Sequence, residues 1–110
     1  MTMAKEFEIR AVAFQEGDIW VVQGVEYDIV AQAKSPFDVP SAFVKTVIST
    51  LAINKRLGRD GLDHLKAAPA RFREMFDNAD AELRPLQQED IRSDLPRPGI
   101  DLRLYRAQAA

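Results

Sequence analysis

Residues 7–57 read FEIRAVAFQEGDIWVVQGVEYDIVAQAKSPFDVPSAFVKTVISTLAINKRL. Phe7, Ile9, Ala11 and Ala13 alternate with Glu6, Glu8 and Arg10, the period of a strand with one buried face. Val12 and Phe14 interrupt the alternation, so the far end of this strand is expected to be covered on both faces. Glu16-Gly17-Asp18 supplies a tight turn, and Ile19–Val22 returns as a second strand, apolar on both sides. Gly24 marks a bend or a close backbone approach. Val25–Ala31 follows as a third strand, with Val25, Tyr27, Ile29 and Ala31 on one side.

Ser35-Pro36-Phe37-Asp38 has helix-start chemistry: a hydroxyl at the N-cap, proline at the first position and a carboxylate two residues further on. Pro40 competes as a second starting proline. Phe43, Val44, Val47, Ile48 and Leu51 then form an apolar stripe at helical spacing, which marks a core-facing helix. Gly58 and Gly61 end it.

Downstream, Pro69 opens a second helix with Phe72, Met75, Phe76 and Ala79 inward, inside a helical region of residues 62–83. Residues 84–99 read as an extended, proline-rich connection. Ile100, Leu102 and Leu104 alternate in a last strand over 100–106, stable only if it joins the earlier sheet. The fold class is therefore α+β, in the order β-β-β-α-(α)-β. It comprises a four-stranded, mainly antiparallel sheet, a helix on one face and a smaller helix beside it. The 110 residues form a single domain.

The chain has no cysteine, which removes disulfides, thiolate metal sites and thiol nucleophiles. No apolar run is long enough to span a membrane, and no leader resembles a signal peptide, so a cytoplasmic location is expected. The net charge of −2 argues against bulk attraction to nucleic acid. Its distribution is uneven. Residues 41–73 hold seven basic and two acidic groups, whereas both flanking regions are net acidic. Part of the basic excess, Lys55, Arg56 and Arg59, falls at a helix C-terminus, where cations offset the macrodipole.

No catalytic constellation stands out. Glu26 and Asp28 share a face of the expected strand and could hold a divalent cation, yet they lack a third ligand or a histidine. They read better as an acidic rim. His64, the single histidine, has no nucleophile or ligand spacing around it. Ser35 and Ser41 sit in no nucleophile motif. Trp20 reads first as core and second as an interface anchor, a role that Tyr27 could share. Arg103, on the last strand, could serve a partner or discourage edge pairing. No cofactor or metal is expected.

Three stretches together resemble the HicB-like antitoxin family. In the first, Asp18–Lys34, the family's W-V-x-Q-x-L-E-x-D-I-x-A-Q-G-K-T pattern is matched from Trp20. Val25 stands for the leucine, Ala33 for the glycine and Ser35 for the threonine. The second is the helix carrying Lys45-Thr46-Val47-Ile48. The third is Ala68–Phe76, similar to a proline-led helix in larger relatives of unassigned function. The resemblance implies a partial RNase H-like sheet without catalytic carboxylates. It also implies a non-enzymatic module that binds and blocks a small basic RNA-cleaving toxin. Residues 58–110 show no helix-turn-helix pattern, so the DNA-binding tail of characterised relatives is not expected. The partner surface would include Trp20, Glu26, Tyr27, Asp28 and Arg103. Exposed sheet edges, with the self-association implied by the resemblance, lead to the expectation of a homodimer. The alternatives are a nucleic-acid-binding accessory protein using Lys45–Arg73, or an RNase H-like nuclease remnant using Glu26 and Asp28.

Overall fold

In the computed structural model, residues 7–59, 61–62, 65–79, 81–83 and 98–106 are described. The first strand, β1 (Phe7–Glu16), turns at Gly17-Asp18 into β2 (Ile19–Gly24). Gly17 takes φ of 59°, the left-handed conformation that only glycine adopts freely. A short strand β3 (Val30–Ala33), a 3-10 turn at Pro36–Asp38 and the long helix α1 (Val39–Arg56) follow. Helix α2 (Ala70–Asp77), strand β4 (Ala81–Leu83) and strand β5 (Pro98–Leu104) follow among the described residues.

The class is α+β, as the sequence indicates, but among the described residues the sheet has five strands, in the order β3-β2-β1-β5-β4. It is mixed. β5 runs parallel to β1, pairing Ile9 with Ile100 and Ala11 with Leu102, while the other pairs are antiparallel. The fifth strand is β4, which occupies the end of the region expected to be helical. Of the expected 84–99 connection, residues 84–97 lie outside the described residues, as does His64, and 98–99 belong to β5.

The third strand also differs from the sequence reading. Residues 25–29 leave the sheet, and strand geometry resumes only at Val30. The excursion satisfies its backbone non-locally. Val25 N–H donates to the Arg10 carbonyl (2.8 Å), Asp28 N–H to the Lys66 carbonyl (2.7 Å), and Ala68 N–H to the Val25 carbonyl (3.1 Å). Gly24 allows this path, because a Cβ there would lie 2.6 Å from the Tyr27 carbonyl oxygen.

Alternation along β1 divides the core in two. Ile9, Ala11 and Ala13 face α1 and pack with Val22, Ile29, Ala31, Phe43, Val47, Leu51, Leu62 and Leu102. Val12 faces the opposite way and packs with Val25, Phe72 and Phe76, with Phe14 and Met75 alongside. Helix α2 therefore covers the other face of the sheet rather than lying beside α1. The interrupted alternation at Val12 and Phe14 reports that second layer, and Phe14 stacks on Phe72 with ring centroids 6.0 Å apart. Burying a side chain such as Phe43 or Leu51 contributes about 1.5–3 kcal/mol.

Helix α1 begins in two stages. Ser35 precedes the 3-10 turn, its hydroxyl 3.1 Å from Asp38 Oδ2, and α1 proper starts one residue before Pro40. At its other end the buried Asn54 donates from Nδ2 to the Gly61 carbonyl at 2.7 Å, fixing the exit of the chain.

Candidate functional site

Where β2 departs at Gly24, the next backbone N–H of β1, that of Arg10, has lost its neighbouring strand. Glu26 takes that place: Oε1 accepts from Arg10 N–H at 2.7 Å, and Oε2 pairs with Nε of the same residue. The hydrogen bond and charge of Glu26 raise the Arg10 pKa further above its ordinary value. That shift lies at strongly alkaline pH and leaves the side chain cationic near neutrality. The guanidinium also lies 5.9 Å from the Phe76 ring centroid of α2.

The parallel β1–β5 register sets Asp101 opposite Arg10 and Gly99 opposite Glu8. Glu8, Arg10, Glu26, Ile100 and Asp101 thus line an open cleft of about 650 Å³. It carries three carboxylates to one guanidinium, a net negative mouth. A second concavity, about 730 Å³, lies at the hairpin end of the sheet between Phe14, Trp20, Met75 and Tyr105.

Each residue expected at a partner surface has a definite place. Glu26 is committed to Arg10. Asp28 is exposed and accepts from Gln23 Nε2 at 2.9 Å. With residues 25–29 out of the sheet, the two carboxylates do not form the paired set that a strand would have given them. Trp20 and Tyr27 are half-buried against the α1-side core. Trp20 still reaches the rim of the aromatic concavity. Arg103 lies over the Phe76 ring, 4.2 Å from its centroid. Its Nε is 3.6 Å from Asp101 Oδ1, within ion-pair reach but too long for a hydrogen bond. Arg10 and Arg103 thus both lie over one phenylalanine, and Arg103 is half-buried against it.

The sequence reading missed Glu8, Arg10 and Asp101 as a group. Arg10 falls on the outward phase of β1, a signal already legible in the alternation. Asp101 joins it only through a pairing 91 positions away in the chain. The basic stretch Lys45–Arg73 does not form one surface. Lys45, Lys55 and Arg56 are exposed on α1, while Arg71 and Arg73 lie on α2 across the sheet, Arg71 over the Phe72 ring at 4.7 Å. Among the described residues, no group of three or more potential metal ligands converges, and no helix is long and apolar enough to cross a membrane. Compared with protein-family models, curated proteins and solved structures, the chain matches none.

Proposed function

We propose that this chain is a non-enzymatic protein-binding module of the antitoxin type, which neutralises a small, basic RNA-cleaving partner by covering its active surface. The observation that carries this reading is the acidic cleft of Glu8, Glu26 and Asp101. Its carboxylates suit a cationic partner, since complementary charge steers association and fixes orientation. The HicB-like block, Asp18–Lys34, supports the same reading by resemblance. The alternative of a nucleic-acid surface on Lys45–Arg73 is disfavoured by the division of those cations between opposite faces. A nuclease using Glu26 and Asp28 is disfavoured by their commitment to Arg10 and Gln23.

The test is affinity capture from the native host's lysate, followed by an RNA-cleavage assay on the protein released from the complex. Stoichiometric recovery of a small basic protein that cuts RNA when freed supports the reading. Recovery of nucleic acid alone, or of no stoichiometric protein, contradicts it.

A further inference from the structure

We propose that the acidic cleft holds its partner through the backbone as well as through charge. An extended segment of the partner adds beside β1 at Glu8, antiparallel to it, with a lysine or arginine opposite Glu8. This rests on the antitoxin reading for the identity of the partner, but not for the existence of the slot.

The free edge follows from two backbone hydrogen bonds. Val25 N–H donates to the Arg10 carbonyl at 2.8 Å, and Tyr105 N–H donates to the Ala13 carbonyl at 2.8 Å. The Arg10 backbone groups therefore face the β2 side of β1, and those of Ala13 face β5. Successive residues of a strand direct their N–H and C=O groups to opposite sides. Ile9, Ala11 and Ala13 thus bond toward β5, while Glu8, Arg10 and Val12 face the β2 side. Val12 has Gln23 of β2 as its partner, and Arg10 has Val25 and the Glu26 carboxylate. Glu8 is next in line, but β2 has ended at Gly24, opposite Ala11. Among the described residues no backbone takes its place. The Glu8 N–H and C=O are left at the edge of the cleft that Glu8, Ile9, Arg10 and Glu26 line.

A single residue of an antiparallel strand satisfies both groups, exchanging two N–H···O bonds with Glu8 in one hydrogen-bonded pair. A parallel strand would be slightly less stable. Directly opposed residues share a face of the sheet. A side chain opposite Glu8 therefore projects onto the face that carries Glu8, Arg10 and Asp101, where Glu26 is held against Arg10. Three carboxylates against one guanidinium select a cation there. The residues on either side project to the other face, beside buried Ile9, where apolar side chains fit. The segment recognised is thus an extended apolar–basic–apolar alternation. Main-chain bonds supply affinity in this mode and alternate side chains supply specificity.

The probes are short peptides alternating valine and lysine, carrying a fluorophore and titrated with the full chain. The parent peptide should bind with a dissociation constant on the order of 100 μM at low salt, a strength suited to two backbone bonds and screened charge. Methylating the backbone nitrogens of the lysines removes the donor to the Glu8 carbonyl and leaves every charge in place. Affinity should fall at least about tenfold. Methylating the valine nitrogens instead, which face away from β1, should leave affinity within about twofold. A valine–glutamate peptide should not bind.

On the protein, Glu8→Pro removes the facing N–H without touching the β5 ladder. It should abolish binding with circular dichroism unchanged, whereas Glu8→Gln, which keeps the backbone groups, should weaken binding only severalfold. Hydrogen exchange at the Glu8 amide should slow when the parent peptide saturates the chain.

Equal affinity for the lysine-methylated and valine-methylated peptides would overturn strand addition and leave the cleft a site of charge alone. So would a parent peptide that fails to bind up to about 5 mM. Neither result touches the antitoxin reading, which stands or falls on the RNA-cleaving protein captured from lysate.

Discussion

The backbone N–H of Arg10 and its guanidinium both bind the carboxylate of Glu26, sixteen residues away in the sequence. One side chain thus does the work of a missing strand, satisfying the β1 donor that β2 abandons at Gly24. It also ties the 25–29 excursion to the sheet. Both side chains are partly exposed, 38% for Arg10 and 26% for Glu26. Solvent therefore screens the ionic part, and the backbone hydrogen bond carries most of the effect.

Glu26→Ala is accordingly expected to destabilise the fold by about 1–3 kcal/mol, the cost of an unsatisfied backbone donor. Glu26→Gln keeps an acceptor for the N–H and should cost less. Urea unfolding of the three proteins checks this. Equal midpoints for wild type and Glu26→Ala would show that water replaces the carboxylate without loss.

Gly24→Ala should be worse than Gly17→Ala, although both replace a glycine where the chain changes direction. At Gly17 only the positive φ is at issue, and a Cβ would meet nothing within 4 Å. The expected loss there is about 1 kcal/mol. At Gly24 a Cβ would press on the Tyr27 backbone carbonyl, which has no flexible end to move, and a loss above about 2 kcal/mol is expected. Thermal melts of the two variants would rank them.

These two glycines show what the sequence makes legible and what it does not. The Gly17 turn, the stripe at Phe43, Val47 and Leu51, and the α2 face at Phe72 and Phe76 follow from local spacing alone. Local pattern extended β3 back to Val25, because Val25, Tyr27, Ile29 and Ala31 alternate. In the structure Val25 joins the α2-side cluster while Tyr27, Ile29 and Ala31 join the α1 side. The bonds that draw 25–29 aside come from Arg10, Lys66 and Ala68, which no local window contains. Periodicity likewise identified which side of α2 is buried but not which sheet face receives it. β4, three residues long, is too short to carry a period. At the candidate site, the acidic character of Glu26 was legible, whereas its pairing with Arg10 and the nearness of Asp101 depended on strand register.

Two phenylalanines six residues apart, one in the 3-10 turn and one on α1, give a contrasting pair of outcomes. Phe43 is fully buried and Phe37 is 87% exposed. Phe43→Ala should cost about 3–5 kcal/mol through lost burial and a cavity. Phe37→Ala should stay within about 0.5 kcal/mol. Chemical denaturation would separate them, and similar losses would mean that Phe37 is covered in solution.

Charge reversal in the cleft, with Arg10 and Glu26 left in place, tests the partner surface. Glu8→Lys with Asp101→Lys should weaken binding of the captured protein at least about tenfold, mainly through slower association and with a reduced salt dependence. Lys45→Glu with Arg56→Glu, on the α1 side, should leave the affinity within about twofold of wild type if the cleft alone steers the partner. Surface plasmon resonance at two salt concentrations reads both. Equal losses from the two pairs would remove the cleft from the account.

Neutralisation is tested most simply by titrating the purified chain into the RNA-cleavage reaction of the protein it captures. Cleavage should fall to background at stoichiometric addition, and the Glu8→Lys, Asp101→Lys variant should require a large excess to do the same. Cleavage that continues unchanged in excess wild-type chain would contradict it.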